Sequence, residues 1–171
     1  MSRSFQLAPM SPLIKWVTVG LWVIPVAFAI ATLVSRELSM GIVSVLLFAM
    51  YGAVWLCCRP SRFIVSEQSI DILFPLWRRK IRSKTISAVS IINKDGFHRD
   101  FGWAIRIGVG GLWGGFGWLW TTKRGIVEFY ISRLDEFILL ERSLKSSLLI
   151  TPSHPTEFLS VIQHFTQGGQ D

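Results

Sequence analysis

The stretch WVTVGLWVIPVAFAIATLV, residues 16–34, is followed after a five-residue break by MGIVSVLLFAMYGAVWLCC, residues 40–58, and neither run contains a charge. At about 1.5 Å of rise per residue, each run spans about 28 Å as a helix, close to the hydrocarbon thickness of a bilayer. The break, Ser35-Arg36-Glu37-Leu38-Ser39, leaves room only for antiparallel helices. The expectation is a transmembrane hairpin over residues 13–58, with helices at about 13–34 and 40–58 and both ends on one side. Arg3, Lys15, Arg59 and Arg62 flank the outer ends against Arg36 alone in the break, which by the positive-inside rule puts both termini in the cytoplasm. The implied localisation is the cell (inner) membrane, as a multi-pass protein. Trp16 and Trp55 fall at the cytoplasmic level, where indole rings favour headgroups. Pro25 predicts a kink, tolerated where a neighbouring helix serves the carbonyl it frees. Ala27 and Ala31 offer a small-residue seam for close helix approach. A signal peptide cleaved near Ala27-Phe28-Ala29 competes with this reading, but the apolar run continues past that site. Buried helices of a soluble protein fit poorly with two full-length uncharged runs and a mean hydropathy of +0.44.

Of the 171 residues, those at 60–166 suffice for one small domain. Residues 1–12 read as a polar, poorly ordered arm, and residues 167–171 as a disordered tail. The net charge of +7 resides mostly in the domain, where 15 Lys and Arg face 10 Asp and Glu from Arg59 onward. A basic domain held at a membrane points to an anionic leaflet as its partner. Tethering there argues against nucleic acid, the other usual partner of a basic domain. Cys57 and Cys58 are adjacent, which suits neither a disulfide nor a metal site, and they read as ordinary helix-end residues, with acylation the alternative.

Beyond the hairpin the pattern changes to short strands. Residues 62–66 and 70–74 are β-rich around a turn at Glu67-Gln68-Ser69, and Pro75 stops the second. In LWRRKIRSK, residues 76–84, period-2 alternation puts Arg78, Lys80, Arg82 and Lys84 on one face and Trp77, Arg79 and Ile81 on the other. Residues 86–92 form a strand or an irregular connection, and Asn93-Lys94-Asp95-Gly96 signals a turn. Strands follow at 101–109 and 118–121, then a turn at 122–125. Residues 126–132 and 136–141 read as a hairpin around Arg133-Leu134-Asp135, and 146–151 as the last strand. His154 is placed to cap a closing helix with Pro155 at its first position and Glu157 in its first turn. Phe158, Val161, Ile162 and Phe165 then share one apolar face. The fold class is therefore a two-helix hairpin followed by a mainly-β barrel or sandwich of seven or eight antiparallel strands, closed by a C-terminal helix.

This arrangement resembles the bacterial pleckstrin-homology-like (PH-like) domain proteins, which often carry a transmembrane hairpin before the domain. The likeness rests on the strand pair at 62–74, the glycine-aromatic stretch RIGVGGLWGGF at 106–116, and the ending LITPSHPTEF at 149–158. His154 stands where the family pattern has an acidic cap. The resemblance implies a PH-like fold and membrane association, and it brings no catalytic residues and no single agreed ligand.

No enzyme is read here. The stretch GVGGLWGGFG at 108–117 holds six of the chain's 14 glycines but has no GxxxxGK[ST], and the frame from Gly108 lacks the third glycine of a dinucleotide fingerprint. It reads as a tight or bulged β connection, or as a tip whose Leu112, Trp113 and Phe116 meet the lipid interface. His98, between Asp95 and Asp100, lies in an expected loop without ligand spacing, so no metal and no cofactor is expected. No small-molecule substrate is identified. The functional candidate is the basic face: Arg78, Lys80, Arg82 and Lys84, with Arg59 and Arg62, engaging anionic lipid headgroups. Trp16, Trp55, Trp113 and Phe116 are the candidate membrane-interface residues. A solvated strand face is the plain alternative, and a docked protein partner the other function.

Overall fold

The computed structural model describes residues 2–143 and 145–167. Strand β1 (Ser2–Gln6) precedes helix α1 (Pro12–Ser35) and helix α2 (Leu38–Ala53), which runs on through a π-helical turn, Val54–Cys58. Then come β2 (Arg62–Ser66), β3 (Ser69–Leu73), β4 (Arg78–Arg82), a 3-10 turn (Ser83–Thr85) and β5 (Ile86–Asn93). After α3 (Lys94–Phe101) follow β6 (Ala104–Gly110), β7 (Gly115–Thr121), β8 (Gly125–Ile131), β9 (Glu136–Arg142), β10 (Leu148–Ile150) and α4 (Pro155–Gln167).

The expected arm is a strand. Ser2–Gln6 pairs antiparallel with β2, Phe5 opposite Phe63 and Gln6 opposite Arg62. Alternation decides this, because Phe5 is buried while Ser4 and Gln6 face outward. The helical hairpin is thus a long connection inserted between two paired strands. The segment behind β1 is fastened too: Ala8 N–H donates to the Thr151 carbonyl at 2.9 Å, and Ser132 Oγ donates to the Ala8 carbonyl at 2.6 Å. Both ends of the hairpin therefore emerge from the β domain.

The two long helices have mean hydropathies of 2.3 and 2.1, and only 11% and 17% of their most apolar windows are buried, unlike the core helix of a soluble fold. They meet where Pro25 interrupts α1. Proline has no N–H for the carbonyl four residues back, and Tyr51 Oη from α2 donates to that carbonyl, on Leu21, at 3.0 Å. Ser44 Oγ donates to the Pro25 carbonyl at 2.9 Å. The close approach runs through Pro25, Thr32 and Gly41, where an added Cβ would lie 3.1 Å from Thr32. Ala27, expected on this seam, is exposed.

The strands form two sheets, β1-β2-β3-β4 and β5-β9-β10-β8-β7-β6, so the barrel is not closed. The hairpin expected between β8 and β9 does not form. Strand β10 lies between them, antiparallel to β9 and parallel to β8, so the sheet is not wholly antiparallel. The reason is hydrophobic: Leu148, Leu149 and Ile150 are each 0% exposed, and only a central strand buries three consecutive side chains on two faces. The turn expected at residues 93–96 is the start of α3, which buries Phe101 and stacks Phe97 on it at 4.7 Å. His98 is accordingly on a helix. One core, with Phe63, Ile72, Ile138, Leu140 and Ile150, fills the space between the sheets, and α4 covers its end through Phe158 and Ile162. A second core, with Val127, Phe129, Phe137 and Leu149, lies under α3. The tail expected from residue 167 falls, beyond Gln167, outside the described residues.

Candidate functional site

Alternation along β4 places Arg78, Lys80 and Arg82 outward, while Ile81 is buried and Arg79 half-buried beneath. Its neighbours fix the row: Arg78 pairs with Leu73 and through it Arg62, Lys80 pairs with Asp71, and Arg82 with Ser69. Arg62 thus joins the row. Lys84 does not extend the strand, because the chain turns into the 3-10 segment at Ser83. Asp71, opposite Lys80, interrupts the positive face and lies 3.9 Å from Arg78 Nε. Arg59 is folded back, its guanidinium 4.2 Å from the Trp55 ring centroid and its Nε buried with no hydrogen-bond partner among the described residues.

The inner side of β4 holds the buried electrostatics. Arg79 donates from both terminal nitrogens to the Glu128 carboxylate on β8, one contact at 2.9 Å. Arg142 from β9 donates to the same carboxylate at 3.1 Å, and Tyr130 Oη donates to it at 3.0 Å. Burial pushes the Glu128 carboxyl up, but the hydrogen bonds and charge of Arg79, then Tyr130 and Arg142, outweigh it and hold it below the usual range. The Tyr130 hydroxyl is pushed up to about 12, by burial first and by the Glu128 charge second. Two guanidinium groups share one carboxylate, so the cluster keeps a positive charge. It opens into a cleft of about 270 Å³ walled by Arg79, Lys80, Arg82, Arg142 and Lys145. Sequence reasoning missed Arg142, Lys145 and Glu128, because their segments meet β4 only through the packing of one sheet on the other.

The interface candidates separate. Trp16 is 74% exposed on the first turns of α1, and Trp55 is partly exposed on the π turn. Phe116, expected at a lipid-facing tip, is instead 2% exposed in the inter-sheet core, opposite Tyr130. Leu112 is buried as well. Trp113 packs edge-on against Trp55 at 4.8 Å and Trp22 at 6.2 Å, so the tip of the β6–β7 hairpin docks on the helices. Thr18 Oγ1 holds it, donating to the Gly111 carbonyl at 2.6 Å and accepting from Trp113 N–H at 3.0 Å. That bond fixes Trp113 at φ +57°, in the left-handed region. Gly108 and Gly117 face each other across β6 and β7, where a Cβ at Gly108 would lie 2.3 Å from the Phe116 carbonyl oxygen. The glycine-rich stretch is therefore a tight β connection. Among the described residues no group of three His, Cys, Asp or Glu is close enough to hold a metal.

Two sheets face to face with a C-terminal helix over one end fit the PH-like class, whose members serve as binding modules. A family model described as bacterial PH domain matches residues 61–164, more than half of the chain, and the chain belongs to that family. The match begins after the helices, so β1 lies outside it. Neither the curated proteins nor the solved structures give a significant match.

Proposed function

We propose that this protein is a membrane-anchored PH-like binding module on the cytoplasmic face of the cell membrane that engages anionic lipid headgroups through its basic strand face. The observation that carries the reading is the outward row of β4 at the foot of an apolar, largely unburied helical hairpin. Trp77 Nε1 donates to the Cys57 carbonyl at 2.9 Å, which ties the start of β4 to the end of the second helix. From there the strand rises about 3.3 Å per residue, so Arg82 stands about 13 Å beyond Arg78. Each cation near an anionic surface contributes about 1 kcal/mol, fading within a Debye length of about 8 Å. Arg78 and Arg62 therefore carry most of the attraction and Arg82 little.

The test is hydrogen exchange of residues 76–84 in the full chain, in neutral and in anionic nanodiscs across a salt series. Slower exchange in anionic discs, lost with salt and with Arg78→Glu, supports the reading. Identical exchange in both discs overturns it.

A second reading, a regulatory subunit that docks a protein, is favoured by a different observation. Strand β4 is a sheet edge, and the six-stranded sheet leaves Ile105, Ile107, Trp118, Trp120 and Ile126 exposed on the face that carries Tyr130. An added strand would find free backbone groups and an apolar floor there. Crosslinking in native membranes that returns no reproducible protein partner would count against it.

A further inference from the structure

A different face of the same sheet carries a second site. A cavity of about 650 Å³ lies between α3 and strands β6 to β9, with Phe97, Leu119, Phe129, Phe137 and Leu149 in its wall. That volume is in the range of about 300–1,000 Å³ usual for small-molecule pockets. A smaller hollow of about 200 Å³ adjoins it, between Leu13 and Val17 of α1 and the glycines of the β6–β7 tip. Arg106, Ile131 and Leu134 line both, so these three side chains form the neck of the larger space and part it from the hollow. The glycines let the Arg106 guanidinium lie against the backbone at this boundary. On this face β6 and β7 carry Gly110 and Gly115, and a Cβ at Gly110 would lie 2.4 Å from the Arg106 guanidinium. Leu13 and Val17 are themselves exposed, so the hollow opens onto the apolar surface of α1.

The charge at the neck is of one sign. Lys94, His98 and Arg106 line the larger space, with no Asp or Glu among the lining residues. Arg106 makes no hydrogen bond or ion pair among the described residues, and its guanidinium lies 5.8 Å from the Phe129 ring centroid. The nearby Asp135 carboxylate is taken up by Arg133. An apolar chamber with an unpaired cation at its mouth matches a hydrocarbon chain that ends in an anion.

We infer that this pocket binds a single-chain anionic amphiphile, with the acyl chain among Phe97, Phe129 and Phe137 and the headgroup on Arg106, at the boundary with the hollow beside α1. The site does not use the β4 face and does not depend on its reading. The test places the full chain in neutral phosphatidylcholine nanodiscs doped with lysophosphatidylglycerol carrying a diazirine at the chain end. Lysophosphatidylcholine with the same chain is the neutral control, and labelled peptides are mapped by mass spectrometry. The expected result is labelling within residues 94–106 and 129–137 by the anionic probe, lowered about tenfold by Arg106→Gln, the worth of one charge-assisted hydrogen bond. Ala104→Phe, which fills the chamber, should abolish it, and Leu134→Trp, which fills it from the opposite wall, is the second variant if that one fails to fold. Arg78→Glu should leave the labelling in place. Labelling confined to the two long helices, equal labelling by the neutral probe, or labelling that survives both filling variants overturns the inference.

Discussion

Glu128→Gln tests the join between the two sheets. The carboxylate side chain is 8% exposed, and it pairs with Arg79, 25% exposed, and Arg142, 4% exposed. The neutral amide keeps the shape but carries no charge and turns an NH2 toward groups that donate, so Arg142 remains buried without a counter-charge. Breaking a buried ion pair from one side costs about 3–5 kcal/mol, a large part of the roughly 5–15 kcal/mol that holds a domain together. The assay is denaturant unfolding of the full chain in micelles, followed by tryptophan fluorescence, with the variant and with Arg79→Met/Glu128→Leu/Arg142→Met. The single variant should lose about 3 kcal/mol or more and the triple variant much less, since an apolar replacement of a whole buried charge cluster is often close to neutral. The pH dependence has a definite sign. Glu128 is held below its unfolded value of 4.5, so its stabilisation is present above that pH and is lost as pH falls through the lower folded value. The variant should lack that part of the acid limb. A loss below about 1 kcal/mol, or an unchanged acid limb, would refute a cluster that clamps the sheets.

Three further outcomes follow from the geometry. Thr18→Val leaves the Gly111 carbonyl and Trp113 N–H unpaired. It should cost about 1–3 kcal/mol and speed hydrogen exchange at residues 111–114; unchanged exchange would count against the docked tip. Tyr51→Phe should cost roughly 0.6–1.7 kcal/mol in unfolding assays, and Pro25→Ala should rescue it by returning an N–H to the Leu21 carbonyl; no rescue would mean the hydroxyl acts otherwise. A fragment from Pro60 onward, without β1, should aggregate or unfold by circular dichroism, because Phe63 and Phe158 lose Phe5 and the four-stranded sheet loses a strand. Residues 2–11 joined to Pro60 by a flexible linker should restore it, and a stable Pro60 fragment would show β1 to be dispensable.

The helical hairpin was legible because membrane-length apolar runs follow from composition alone, and Pro25 announced the carbonyl that a second helix has to serve. The strands β2 to β4 were legible because alternation sorts side chains between two faces whatever the partner, and so placed Arg78, Lys80 and Arg82 together. The amphipathic period of α4 likewise needs no tertiary information. Local pattern failed where pairing is long-range. A five-residue polar strand such as Ser2–Gln6 shows one buried phenylalanine, and only β2, some sixty residues later in the chain, gives it a sheet to join. Residues 93–96 carry a turn signal, yet the apolar ground under Phe97 and Phe101 makes the segment a helix. The insertion of β10 between β8 and β9 could not be read from neighbours in sequence, since adjacent strands joined by a short loop look like a hairpin. That insertion sets Arg142 beside Glu128. The sequence by itself therefore settled the two long helices, the strands β2 to β4, the closing helix and which cations of β4 share a face, because those depend on residues a few positions apart. The tertiary structure alone decided which charges are buried together, that Phe116 is core, and where the cavities lie, because these depend on which strand sits beside which.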